Sequence, residues 1–221
     1  MTYNGSIGIE KAVEIIPDII ISDVMMPDKN GYEVCEALKQ DERTSHIPII
    51  LLTAKATIAD KISGLSYGAD AYLAKPFHPE ELAIRLEKLI ELRRMLQAKY
   101  SSGLLIGKVQ PKSEDEFLQK VQQAILTNLD QLEFGPNELA KTVASSRTQL
   151  HRKLKALTDT STSNYIQKIR LQESKKLLHN LNLTISEIAY QVGFKTPQYF
   201  SRSFTKVFDT SPSQYRNQLK I

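Results

Sequence analysis

Residues 146–165 (SRTQLHRKLKALTDTSTSNY) and 196–215 (TPQYFSRSFTKVFDTSPSQY) are two copies of one pattern. The offset is 50 residues, and 6 of the 20 pairs are identical, among them Arg152/Arg202, Asp159/Asp209 and Tyr165/Tyr215. Just upstream, ELAKTVA (138–144) matches EIAYQVG (187–193). A repeat binds the fold tightly, because whatever one copy builds the other must build as well. Each copy reads as a short helix, a tight break and a second helix opened by Ser or Thr. Ser146 stands three residues before Gln149, and Thr184 three before Glu187, the spacing of a capping box. Ahead of the first copy, Phe117, Val121, Ala124, Ile125, Leu129 and Leu132 mark one amphipathic helix, and Gly135-Pro136 opens the next. The second half is therefore all helix, with two helix-turn-helix units, an arrangement that favours DNA binding over a plain bundle of duplicated hairpins.

The first half obeys a different rule. Three apolar runs, DIIISD (18–23), IPIILLT (47–53) and DAYLA (70–74), predict strands. The first two are continuously apolar, as strands buried on both faces are. Helices are predicted between and after them, over Gly31–Lys39, Ala59–Tyr67 and Pro79–Ala98. This alternation makes a parallel α/β sheet, whose ligands sit beyond the carboxyl ends of its strands. Asp23, Thr53 and Lys75-Pro76 lie at those ends. Gly, Ser and Pro break the periodicity over residues 99–115, which reads as a linker. The expected organisation is an α/β domain over 1–98, the linker over 99–115, and an all-α domain over 116–221.

Composition narrows the function. Residues 1–110 hold 13 Lys+Arg against 15 Asp+Glu, whereas 111–221 hold 16 against 10. A basic second half suits a polyanion. The single cysteine, Cys35, excludes a disulfide framework and a cysteine zinc site. No apolar run reaches the roughly 18 residues of a membrane span, and the opening MTYNGSIGIEK lacks an apolar signal segment. A cytoplasmic protein without membrane contact is expected. His46, His78 and His179 have no metal-like partner at helical spacing and read as surface residues.

A carboxylate, a hydroxyl and an ammonium on successive strand ends can together accept a phosphoryl group: the carboxylate attacks, and the other two contact the phosphate oxygens. A phosphatase or phosphotransferase of haloacid-dehalogenase type would need a second acid two residues after the nucleophile. Met25 stands there. No enzyme activity is expected of this segment.

SDVMMPDKNGYEVCEALK, IPIILLTA and GADAYLAKPF together resemble the receiver domain of two-component response regulators, over about residues 5–98. The resemblance implies a flavodoxin-like fold with Asp23 as phosphoacceptor. Thr53 would be the hydroxyl switch residue, Tyr72 the aromatic switch, and Lys75 the phosphate-contacting lysine. Asp23 and the backbone carbonyl of Met25 would be Mg²⁺ ligands, with Pro27 and Gly31 shaping the loop. A receiver opens with a strand ending in a Mg²⁺-binding acidic pair, and that stretch has no counterpart here. The expectation is a partial receiver with weak or no Mg²⁺ binding, a C-terminal portion of a longer protein.

The repeat, ISEIAYQVGF and YFSRSFTKVFDTSPSQYR resemble the AraC/XylS-type DNA-binding domain over about 115–219. That family joins its two units by a long helix, here about Ser163–Leu178, and its recognition helices would be Ser146–Leu157 and Thr196–Phe208. Helical spacing puts Thr148, His151 and Arg152 on one face, beside Arg147; the second helix offers Gln198, Tyr199 and Arg202. These suit base edges. Leu150, Leu154 and Leu157 point the other way, as do Phe200, Phe204 and Val207. Lys153, Lys155, Lys168, Lys195 and Lys206 suit DNA phosphates. Pro197 has no donor to offer. The resemblance implies double-stranded DNA, RNA polymerase, a second copy of the chain and a histidine kinase as partners. DERTSHIPIILLTAK with ELRRML resembles hybrid proteins in which the kinase is fused upstream. The rival reading keeps DNA binding and makes the receiver remnant an interaction module only.

Overall fold

A computed structural model describes residues 2–54, 67–101 and 113–219. It divides into two compact units, Met1–Phe117 with His151–Asp159, and Leu118–Leu150 with Thr160–Ile221.

In the first unit, β1 (Ile20–Asp23), β2 (Ile49–Thr53) and β3 (Ala71–Ala74) form a parallel sheet in that order. The register sets Asp23 against Leu52 and Thr53 against Ala74. The middle strand reads as an unbroken apolar run because it is covered on both faces: Ile49, Ile50 and Leu51 are wholly buried. Two of the expected helices are found, α2 (Gly31–Gln40) and α3 (Pro79–Ser101). The third falls mostly outside the described residues, and Tyr67, its last residue, lies in a turn. Helix α1 (Gly5–Ile15) precedes β1 and was not read from the sequence. Two of its apolar residues, Ile7 and Ile15, are exposed, which blurs the period. Asn4 caps it, accepting from the N–H groups of Ser6 and Ile7.

Lys39 knots the sheet entry together. Its ammonium donates to the carbonyl of Ile47 at 3.0 Å and to Asp70 Oδ2 at 2.8 Å, and that oxygen also accepts from the Ile49 N–H. Cys35 is wholly buried beneath this sheet, and burial pushes its thiol pKa up to about 11. A thiol that is neutral and inaccessible at pH 8 should not react with a disulfide reagent until the unit unfolds. The expected result is labelling in denaturant and negligible labelling without it; fast native labelling would contradict this packing.

The repeat is visible in the backbone. α5 (Pro136–Thr142) and α6 (Arg147–Thr158) form one pair; α8 (Ile185–Gln191) and α9 (Pro197–Phe208) form the other. α4 (Ser113–Thr127) precedes them, α7 (Thr162–Leu177) runs between, and α10 (Pro212–Gln218) follows. α4 thus ends before Leu132, which is exposed. Of the expected linker, residues 102–112 lie outside the described residues; α3 continues to Ser101 and α4 starts at Ser113. Both expected capping boxes form: Gln149 N–H to Ser146 Oγ at 3.2 Å with Ser146 N–H to Gln149, and Glu187 N–H to Thr184 Oγ1 at 3.1 Å with Thr184 N–H to Glu187.

Left-handed residues recur at matched places, Ala144 with Gly193 and Asp159 with Asp209. The Ala/Gly difference has a steric cause. Ala144 is exposed, so its Cβ meets nothing that forbids it. At Gly193, φ is +75° and a Cβ would fall 2.4 Å from the Leu129 carbonyl and 2.6 Å from Arg170 Cζ. Only glycine fits there.

The core of the second unit is an aromatic stack on α9. Phe194, Phe200 and Phe204 are packed with Leu171, Leu178, Ile188 and Val192. Phe208 lies 4.6 Å from Phe204, ring centre to ring centre, and Tyr215 lies 5.7 Å from it. Among the described residues no helix is long and apolar enough to cross a membrane.

Candidate functional site

Parallel pairing brings the three strand ends to one edge. Asp23 closes β1, Thr53 closes β2, and Lys75 follows β3, with its N–H donating to the Thr53 carbonyl at 2.6 Å. Lys75 Nζ reaches across and pairs directly with Asp23 Oδ2. The other oxygen, Oδ1, accepts from the Met25 N–H at 3.1 Å. Burial alone would raise the Asp23 pKa; the Lys75 hydrogen bond, the Met25 N–H and the lysine charge outweigh it and hold the carboxyl below the ordinary range. At neutral pH Asp23 is therefore an anion, partly open to solvent.

Gly31 is needed behind it. A Cβ there would stand 2.4 Å from the Asp23 carbonyl, so a side chain would displace the strand end that carries the carboxylate. Thr53 is buried. Tyr72 is also buried, with its hydroxyl against that of Tyr32 and the two rings stacked at 6.4 Å. Tyr32 was not singled out by sequence reasoning, because nothing in a 40-residue separation signals the contact.

Met25 is exposed, so its carbonyl lies on an open loop. Asp28, the acid next along that loop, is engaged by the side-chain amide of Asn4. Among the described residues no group of three or more His, Cys, Asp or Glu is arranged to hold a metal. Asp23 and the Met25 carbonyl would supply two oxygens to a Mg²⁺ ion, which would have to take the rest of its octahedral shell from water.

α6 and α9 carry the second set of candidate residues. α9 sorts its side chains cleanly: Phe200, Ser203 and Phe204 are buried, while Gln198, Tyr199, Arg202, Thr205 and Lys206 are exposed. Gln198 and Arg202, four apart, share a face. Tyr199 OH accepts from Gln167 Nε2 at 3.0 Å. Val207 does not face the core as expected; it is 45% exposed, and Phe208 takes over the stripe. On α6, Arg147, Thr148, His151 and Lys155 are exposed, whereas Leu150, Leu154 and Leu157 are buried. Arg152 is half-buried and donates to the Glu14 carbonyl. Lys153 is 3% exposed; its ammonium donates to the Glu42 carbonyl and lies over the Phe117 ring. Lys195 is exposed and paired with Glu133. Lys168 is half-buried, and burial lowers its pKa. Of the histidines read as surface residues, His46 has both ring nitrogens buried without a hydrogen-bond partner, and burial brings its pKa down to about 3.

Two family models match the chain: a response regulator receiver domain over residues 1–87 and a helix-turn-helix domain over residues 139–218. Histidine kinase P4 of Formosa agariphila is 40% identical over 218 residues, covering 97% of this chain and 16% of that protein. The response regulator ArlR of Staphylococcus saprophyticus is 40% identical over 106 residues, 48% of this chain and 47% of that protein. The chain thus spans about a sixth of the first relative and about half of the second. Among solved structures, the C-terminal domain of AraT, a response regulator from Geobacillus stearothermophilus, is 29% identical over 51% of this chain and 88% of its own, with a TM-score of 0.43.

Proposed function

We propose that this chain, a response regulator receiver domain followed by an AraC-type helix-turn-helix domain, is a two-component transcription regulator: its second half binds specific double-stranded DNA, and phosphorylation of Asp23 controls that binding. The single observation that carries the DNA half is α9, whose exposed Gln198 and Arg202 stand above a wholly buried Phe200–Phe204 face in a unit built twice over. A rigid helix with polar side chains on its outer face suits a major groove. Arg147, Thr148, His151 and Arg152 supply the base-reading set of α6, and Gln198 and Arg202 that of α9. Lys153, Lys155, Lys195 and Lys206 are the phosphate contacts of this reading; Lys153 must leave its burial to serve. Selection from random-sequence DNA should return a bipartite site whose two parts lie about one helical turn, roughly 10 base pairs, apart. A single short motif would sink the two-helix reading.

On the receiver side, an Asp23 carboxylate oxygen forms a new bond to phosphorus as the donor's bond to its leaving group breaks, P–N for a phosphohistidine and P–O for acetyl phosphate. Lys75 moves from the free carboxylate to a phosphoryl oxygen, and the Thr53 hydroxyl contacts another. Tyr72 responds to Thr53 as the aromatic switch. A histidine kinase, separate or fused upstream, is the donor. A second copy of the chain and RNA polymerase are the protein partners, and the cytoplasm is the compartment. The absence of a metal-holding acidic group among the described residues favours a second reading, in which the receiver portion is an interaction module. Incubation with acetyl phosphate and Mg²⁺, followed by intact mass, separates the two. A gain of one phosphate that Asp23→Asn abolishes is the expected result. No gain in a folded sample gives the receiver portion to the interaction reading and leaves the DNA half untouched.

A further inference from the structure

The second unit contains a cavity whose lining includes one of the proposed phosphate contacts, Lys195. It measures about 400 Å³ and lies between residues 132–136, α7 and the turn that leads into α9. Leu132, Phe134, Ile166 and Phe194 make its walls apolar, and Arg170 and Lys195 are its cations. Arg170 is half-buried. Its Nη2 donates to two backbone carbonyls, of Gln131 at 2.8 Å and of Phe134 at 3.3 Å, and its Nε is buried without a partner. None of the ion pairs among the described residues gives it a carboxylate. A half-buried cation held by carbonyl dipoles, with its Nε buried and unpartnered, is incompletely compensated and attracts an anion. Lys195, at the mouth, pairs with Glu133 at 2.7 Å, but both side chains are more than half exposed, so that pair is weak and exchangeable.

We propose that this cavity is a binding site for a small organic carboxylate with an apolar or aromatic body. The volume falls in the range of small-molecule sites. Arg170 would take the carboxylate in a charge-assisted bond, Lys195 would close over it, and the body would lie against Phe134 and Phe194. A purely structural Arg170 would tie down the Gln131 and Phe134 carbonyls equally well, yet would need neither an open cavity nor a second cation in its lining. Because Phe194 and Lys195 lie in the turn before α9, the ligand touches the residues that set where α9 begins.

The test is a titration of the isotopically labelled full chain with sodium benzoate, followed by amide NMR, with benzamide as the uncharged isostere and inorganic phosphate as the anion without a body. Saturable shifts at Gly193, Phe194 and Lys195 with benzoate are expected, at least about tenfold weaker with either control, a difference of about 1.4 kcal/mol. Arg170→Gln should remove the response. Because Arg170 also ties two carbonyls, Lys195→Gln is measured beside it, and should weaken benzoate severalfold with an otherwise unchanged spectrum. Equal binding of benzamide or phosphate, or an unchanged response in Lys195→Gln, overturns the proposal.

Discussion

Truncating Phe204 to alanine should cost about 3–5 kcal/mol, enough to consume much of a small domain's stability. Phe204 is wholly buried and touches three other rings, those of Phe200, Phe208 and Tyr215. It joins two elements: α9, through Phe200 and Phe208, and α10, through Tyr215. Removing the ring leaves a cavity among side chains whose backbone is fixed by capped helices, so collapse around it is limited. Part of the loss is the edge-on contact with Tyr215, a geometry that adds to area burial. Thermal or urea unfolding followed by circular dichroism reads the effect. Phe204→Leu should recover most of it, since volume is largely kept. A Phe204→Ala chain with an unchanged midpoint would show that the α9–α10 corner contributes little to the fold.

The second large effect concerns recognition rather than stability. Arg202→Ala removes an exposed side chain from α9 and should leave the unfolding midpoint within about 0.5 kcal/mol. If Arg202 reads a guanine bidentately, its loss weakens the selected site by about 1–3 kcal/mol, roughly 5- to 150-fold, and relaxes preference at one base pair. Lys206→Ala, one turn on, should weaken all sequences alike and flatten the salt dependence by about one unit of slope. The contrast between the two variants is the measurement. Uniform weakening by Arg202→Ala would move it from base to phosphate contact.

Much of this was legible in the sequence, for identifiable reasons. Capping boxes are local: Ser146 with Gln149 and Thr184 with Glu187 need only three residues and a hydroxyl, so spacing alone locates them. A continuous apolar run located β2, because a doubly covered strand has no polar face to interrupt it; β1 reads the same way, but its Ile21 is exposed, so it is not covered on both faces. The errors are equally physical. Val207 sits at the apolar period of Phe200 and Phe204, but it is exposed and Phe208 packs against the core instead. His46 looked like a loop histidine because polarity says nothing of what packs over a loop. Helix α1 went unread because Ile7 and Ile15 spoil its amphipathic stripe.

The sequence by itself determined that α/β elements precede all-α ones, the twofold helix-turn-helix repeat, and the gathering of Asp23, Thr53 and Lys75. The reason is that parallel strands joined by helices must put all their carboxyl ends on one edge. Tertiary structure alone decided the contacts that span distant segments. It pairs Lys75 with Asp23, and it sets the Tyr32 hydroxyl against that of Tyr72. It forbids a side chain at Gly193 where the repeat tolerates Ala144, because only the second copy presses against Leu129 and Arg170. The repeat specifies the same backbone twice; which neighbours each copy meets depends on the rest of the chain, and no spacing within the repeat encodes that.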